Sequence, residues 1–459
     1  MKHLLLLGFF FQGVLLFAQD LVFQKGQLTD SVVVRNSNKE TYALYLPTSF
    51  DQEQLSKIIF VFDPAARGKT GVSVFKTAAE KYNYVVVGSN NSKNGPYELN
   101  FGIANRLFED VFSRFNIDNT QIYVAGFSGG SRLAASIAIL TNQMAGVIAC
   151  GAGFAQQPNL ENNFNYVGLV GNEDMNYQEM RSNISLLNNL NITNTLITYS
   201  DGHNWPPLAQ IERAIGWLEL QASKKRLVNN KPNFMGDYYT AELDIVDQLI
   251  ASNQPYEAVN EMNRFVGSLE LGKERDSLMD KIAKLKQTDN YIKTASKVNE
   301  IEKLEYQLTE MFLNRFRAES FSGKTEDNFE WWKTELSKLY KYNPATGAVY
   351  EEKMFKRIKY RLFAMAIENS NIYLSRNNWQ QANYCDKLLT LMLPDNPAWH
   401  YRLATSYAHL DNLSATIKHI KQAAKLGFKD HTRLYNDASF SKFKNEKRFI
   451  RLLESLQLN

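Results

Sequence analysis

The sequence predicts an α/β fold, a mostly parallel eight-stranded sheet covered by helices, followed by an all-α helical repeat region. Three observations carry this. Up to about residue 205, short runs rich in Val, Ile and Tyr alternate with stretches whose apolar residues recur at helical spacing, which demands crossover connections between parallel strands. Beyond about residue 230 no strand-like run recurs, and the stretches read as amphipathic helices. Near the end, Tyr373 and Tyr407 stand 34 residues apart, the period of stacked helix pairs.

The chain opens with Lys2 and His3, an apolar run from Leu4 to Phe17, and the small residue Ala18. This is the order of a secretory signal peptide, so residues 1–18 are expected to be removed and the protein exported, to the periplasm or beyond the cell. The run is about fourteen residues, short for crossing a hydrocarbon core of roughly 30 Å. No cysteine stands directly after it, so no lipid-modified amino terminus is expected, and no later stretch is long and apolar enough to span, so no transmembrane segment is expected in the mature chain. At 459 residues, two or three domains are expected. With 52 Lys and Arg against 48 Asp and Glu, the net charge of +4 gives no footprint for nucleic acid or an anionic membrane. The two cysteines, Cys150 and Cys385, fall in different halves and nothing asks for a disulfide. Cys150, in the apolar segment from Gly146, reads as a buried and inert thiol.

The strand-like runs are 31–35, 42–46, 58–62, 84–88, 122–125, 147–151, 166–170 and 195–199. The first two follow closely enough for an antiparallel hairpin. Helices are expected over 72–81, 98–114 and 175–190, with 206–225 closing the sheet domain, residues 20–228. The polar segment 229–236, with Asn229, Asn230 and Pro232, is expected as a linker. Residues 237–459 are expected to be helical, with helices over 237–251, 255–269, 292–317 and 329–340. The repeat is clearest over 363–428, where Ala382 aligns with Thr416 and Asn396-Pro397 opens a unit carrying Leu403, Ala404, Tyr407, Ile420 and Ala423.

Chemistry concentrates in the first half. The run Ile122–Ala125 leads directly into Gly126-Phe127-Ser128-Gly129-Gly130, and a stretch rich in small residues follows. A serine on a tight strand-to-helix turn needs neighbours without bulk two positions to either side, and the turn aims a helix N-terminus at any oxyanion formed there. An ordinary glycine-rich turn shares the pentapeptide but not this setting. A serine hydroxyl also needs a base. Of six histidines, His3 lies in the leader and His400, His409, His419 and His431 in the repeats, which leaves His203, just after the last strand and before the closing helix. These motifs resemble those of α/β-hydrolases, and the resemblance implies an acid in the loop after the penultimate strand, where Asp174, in Gly-x-x-Asp, fits best and Glu173 is the alternative. Asp201 is too near His203 in sequence. For the oxyanion, one N–H comes from Gly129. The same resemblance implies that the other comes from the loop after 58–62, where Asp63-Pro64 stands in place of the family's His-Gly, Pro64 has no N–H, and the choice narrows to Ala65, the first choice, or Ala66. Arg67 on that loop either meets an anionic substrate group or makes a structural salt bridge with Asp63 or a neighbour.

Over roughly residues 27–223 these motifs resemble the α/β-hydrolase superfamily, most closely the lidless carboxylesterase and polyhydroxybutyrate-depolymerase-like group. The second half resembles tetratricopeptide-repeat (TPR) proteins. The resemblance implies an exported serine hydrolase that cleaves a carboxylic ester through Ser128, His203 and Asp174, with Gly129 and Ala65 as oxyanion donors. The implied substrate is an ester-bearing small molecule or polymer-linked acyl group, and the repeats offer a surface to a protein or peptide partner. No metal-ligand cluster, phosphate loop or dinucleotide fingerprint occurs, so no cofactor is called for. The connection between the strands ending near 151 and starting near 164 is too short for a cap domain, so an open cleft is expected. A serine peptidase on the same fold and a non-catalytic repeat scaffold with a vestigial hydrolase half are the alternatives.

Overall fold

A computed structural model of the chain describes residues 23–37, 39–225, 234–269, 272–322, 329–341 and 349–457. The leader and most of the expected linker lie outside the described residues. Eight strands form one sheet: β1 (Leu28–Val33), β2 (Thr41–Tyr45), β3 (Ser56–Phe62), β4 (Tyr84–Ser89), β5 (Ile117–Phe127), β6 (Gly146–Cys150), β7 (Asn165–Gly171) and β8 (Asn194–Tyr199). Their order is β1-β2-β4-β3-β5-β6-β7-β8. The pairs β1/β2 and β2/β4 are antiparallel and the rest parallel. This is the α/β-hydrolase sheet, with β5 central.

The crossovers are α1 (Gly68–Tyr82), α2 (Tyr97–Arg114), α3 (Gly129–Thr141) and α4 (Tyr177–Asn189), and α5 (Leu208–Lys224) closes the unit. Two apolar cores result, one on each face of the sheet. Val124 and Phe60 point into one, Tyr123 and Ile59 into the other, as the two-residue period of a strand requires. Cys150 and Cys385 are both free and buried, and burial pushes the Cys150 thiol far up.

No strand follows α5 among the described residues. The helices are α6 (Phe234–Ala251), α7 (Pro255–Val266), α8 (Lys273–Lys286), α9 (Asp289–Ser322), α10 (Phe329–Lys341), α11 (Val349–Ser375), α12 (Trp379–Met392), α13 (Pro397–His409), α14 (Leu413–Lys425), α15 (His431–Asn436) and α16 (Lys447–Gln457). Helix α6 begins inside the expected linker, with Phe234 and Tyr238 packed onto the α5 face of the sheet core. Helices α9 and α11 are longer than any repeat unit needs, because neither contains a glycine or proline to stop it.

Between the halves lies a dense seam. Trp217 Nε1 donates to Ser268 Oγ at 2.8 Å, and Lys224 Nζ to the Ser268 carbonyl at 2.5 Å. Arg213 pairs with Glu242 and Glu261, and Arg181 with Glu302. On α11, Met354, Ile358, Leu362 and Ala366 recur every four residues and are buried in the helical core. The polar face of the same helix, from Lys356 to Glu368, lies against the sheet half.

Candidate active site

At the carboxyl end of β5, Ser128 is the N-cap of α3, with φ 51° and ψ −120°. A non-glycine residue in this region is strained by about 1–3 kcal/mol and persists only where its surroundings impose it. Here the imposing contacts are backbone against backbone. A Cβ at Gly126 would stand 2.3 Å from the Gly130 carbonyl oxygen, and one at Gly130 would stand 2.1 Å from the Phe62 carbonyl oxygen. The Ser128 N–H donates to the Cys150 carbonyl at 2.9 Å, which ties the turn to β6.

His203 follows β8 and lies within hydrogen-bonding distance of both partners. Its Nε2 is 2.9 Å from Ser128 Oγ and its Nδ1 is 2.8 Å from Asp174 Oδ2. Asp174 is buried, and its Oδ1 accepts from the Asn176 N–H at 2.8 Å. Gly151, at φ +66°, passes close to Asp174, where a Cβ would come within 3.1 Å of Oδ2. Sequence reasoning thus named three residues that the structure joins in one hydrogen-bonded chain. Glu173 faces Lys356 at 2.9 Å, and Asp201 bonds Gly202 and Asn204 within its own loop.

The Gly129 N–H, the first of α3, has no hydrogen-bond partner among the described residues, as befits a helix N-terminus open to a ligand. The second expected donor is corrected. Asp63 folds back so that its Oδ1 accepts the Ala65 N–H at 2.9 Å, and its carbonyl accepts the Ala66 N–H at 3.1 Å. This is the local turn chemistry of an aspartate before Pro64, and it engages both N–H groups. Asp63 also accepts from Arg67 Nε and Nη2 and from Trp205 Nε1, each at 2.9 Å. Burial pushes the Asp63 carboxyl up, but these donors outweigh it and hold the group below its ordinary range. Arg67 is therefore the partner of Asp63. Near Gly129 stands a group that sequence reasoning did not single out, the side-chain amide of Asn94. A Cβ at 129 would fall 1.8 Å from its Oδ1, and the amide has no hydrogen-bond partner among the described residues.

The expected open cleft is also corrected. The β6–β7 connection is indeed a loop without a helix, but α11 arrives from the other half of the chain and forms one wall. The cleft over Ser128 measures about 750 Å³ and is lined by Asn94, Tyr97 and Met175 on one side and by Arg361, Met365 and Glu368 on the other. The Tyr360 ring lies 5.6 Å from the His203 ring, whose other neighbour, Phe127, lies 4.7 Å away. No side chain of this wall was named from sequence. A charged stripe at helical spacing reads as a solvated face until a second surface is known to meet it.

No family model and no curated protein matches the chain. Among solved structures it is similar to an S-formylglutathione hydrolase from Staphylococcus aureus, at 15% identity over 43% of this chain and 99% of that one, with a TM-score of 0.35. It is also similar to a hyperthermophilic esterase from the archaeon Pyrobaculum calidifontis, at 14% identity over 43% and 87%, with a TM-score of 0.36. A third likeness is to a fungal esterase from Rhizomucor miehei, at 12% identity over 43% and 85%, again with a TM-score of 0.36.

Proposed function

We propose that this chain is an exported serine hydrolase that cleaves a carboxylic ester, with Ser128 as nucleophile, His203 as general base and acid, and Asp174 orienting the imidazole. The observation that carries the reading is the continuous chain from Ser128 Oγ through His203 to Asp174, at 2.9 and 2.8 Å, on a strained turn at the end of the central strand. In this reading His203 Nδ1–H donates to Asp174, which leaves Nε2 to take the Ser128 proton as Oγ attacks the acyl carbon. The imidazolium then protonates the departing alcohol, and water repeats the sequence to release the acid. The Gly129 N–H and the positive end of α3 stabilise the oxyanion. For the second donor we assign Nδ2 of the Asn94 side chain, whose amide presents Oδ1 as its nearest atom to Gly129 and must turn over to donate, since the Ala65 N–H is engaged by Asp63. The repeat-like helices α12–α14 keep the role of a partner surface in this reading, and no cofactor enters it.

The test is labelling by a fluorophosphonate together with a panel of 4-nitrophenyl esters. The expected result is modification at Ser128 alone and ester turnover that falls by about 10⁴ to 10⁶ in Ser128→Ala and in His203→Ala. Labelling that survives Ser128→Ala would overturn the assignment. Turnover of peptide but not ester substrates would move it to the peptidase alternative.

A further inference from the structure

Helix α11 meets the loop that carries Asp174 at three points within six residues. Lys356 Nζ lies 2.9 Å from Glu173 Oε1. Arg357 Nη1 donates to the Asn172 carbonyl at 2.6 Å. One turn on, Arg361 Nη2 donates to the Met175 carbonyl at 2.9 Å. Asp174 lies between those two carbonyls. From the sheet half, the loop's N–H groups are engaged: Asn172 N with the Tyr199 carbonyl at 2.8 Å, Glu173 N with that of Asp201 at 2.9 Å, and Asp174 N with that of Gly171 at 3.1 Å. The sheet half thus holds the donors of the loop, and α11 holds acceptors on both sides of the carboxylate.

Arg357 is itself fixed. It is buried, its Nε and Nη2 meet both oxygens of Glu305 at 2.7 and 2.5 Å, and its guanidinium lies 4.9 Å from the Tyr177 ring. Glu305 also accepts from Gln178 Nε2 at 2.9 Å. A planar fork paired on two edges and stacked on a ring has little rotational freedom, so its remaining N–H sets where the Asn172 carbonyl sits. Arg361 has no carboxylate partner among the described residues, and its bond goes to backbone. Tyr360, between them on the helix, lies against His203. One rigid helix thus touches the loop of the acid and the ring of the base together.

We propose that Arg357 and Arg361 are positioning residues that hold the backbone on either side of Asp174, so that the helical half completes the active site. This inference rests on the serine-hydrolase reading above. An acid that orients an imidazole acts only at hydrogen-bond distance, and a displacement of about 1 Å costs on the order of 10² in rate.

The test uses the full chain and 4-nitrophenyl acetate. Arg361→Met, which leaves no buried carboxylate behind, should lower kcat by about 10- to 100-fold with KM within about threefold of wild type. Arg357→Met is made together with Glu305→Gln for the same reason and should behave alike. In an Asp174→Asn background each change should cost less than about twofold, since the group being positioned is already gone. Arg361→Lys, which keeps a donor, should recover at least about a third of the lost kcat and guards against a methionine variant that fails to fold. A folded Arg361→Met within about twofold of wild-type kcat overturns the inference, as does an equal loss in the Asp174→Asn background. Wild-type protein that neither turns over ester nor takes the fluorophosphonate overturns the hydrolase reading, and the inference with it.

Discussion

The ring of Tyr360 lies 5.6 Å from the ring of His203, centroid to centroid, tilted by 43°. With Phe127 at 4.7 Å, the imidazole is confined between an aromatic of the sheet half and one of the helical half. Confinement limits ring rotation while leaving both nitrogens to their partners. Tyr360→Phe is therefore expected to keep kcat/KM for a small ester within about threefold, and Tyr360→Ala to lower kcat by about tenfold through looser orientation. Steady-state kinetics on the two variants decide this, and equal behaviour of Phe and Ala would remove the ring from the account.

Asp174 and its neighbour separate cleanly. Asp174→Asn is expected to cost on the order of 10³ to 10⁴ in kcat, because the amide favours the wrong imidazole tautomer. Glu173→Gln loses only a partly exposed pair with Lys356 and is expected to cost less than about threefold. A reversal of the two effects would move the acid by one residue.

Asn94→Ala removes the assigned second oxyanion donor. Loss of one such donor lowers kcat by about 10² to 10³ with little change in KM. Ester kinetics read the split directly. A fall confined to KM would make Asn94 a substrate contact only.

Glu368 lines the cleft and makes no hydrogen bond or ion pair among the described residues. Burial lifts its carboxyl above the ordinary value, against the pull of Arg132 and His203. A substrate group bearing positive charge relieves that burial cost. Among esters of equal chain length, one ending in an ammonium is expected to lose about tenfold in kcat/KM on Glu368→Gln, while one ending in a methyl stays within about twofold. Equal effects on both esters would deny Glu368 a role in charge selection.

In the helical half, His400 Nδ1 and His419 Nδ1 stand 3.1 Å apart, so one must accept while the other donates. Burial, aided by His400, Lys418 and Lys387, lowers His419 to about 4. The unfolded chain therefore binds a proton at this position below about pH 6.5 that the folded chain refuses until about pH 4. Stability from this pair is present above pH 6.5 and is lost as pH falls toward 4. Thermal unfolding of His419→Gln should show a shallower acid loss of Tm than wild type over that window. Parallel curves would show that other groups set the slope.

Much of this architecture was legible in the residues. Eight runs gave eight strands, most of them rich in Val, Ile and Tyr because a strand buried on both faces has no room for polar alternation, while the edge strands β1 and β8 keep exposed positions. The ends were less legible: β5 begins at Ile117, which pairs with Ser56 five residues before the apolar run, and Asp118, Asn119 and Thr120 fall in a register irregularity between that pair and Ile58–Ile122. Ser128, His203 and Asp174 were readable because each had to follow a particular strand. Ala65 misled because a hydrogen bond from Asp63 two residues back takes its N–H, a local competition that strand counting does not see. The wall from α11 was invisible for a different reason. The short β6–β7 connection excludes a cap inserted there, but says nothing of one supplied by residues about two hundred positions later. The face of α11 that meets the site is built from Arg357, Arg361 and Glu368, whose charge points to water when only one helix is considered.

The place of α11 in the chain also sets a schedule. Arg361 leaves the ribosome about 160 residues after His203, an interval on the order of ten seconds at ordinary rates of synthesis. Through that interval Ser128, His203 and Asp174 all exist, yet neither the loop of the acid nor the ring of the base has met the helix that flanks both. A chain that has folded only its sheet half should thus turn over a small ester about 10- to 100-fold more slowly than the finished protein. Its nucleophile would reach full rate as the helical half docks, late in the protein's own biogenesis.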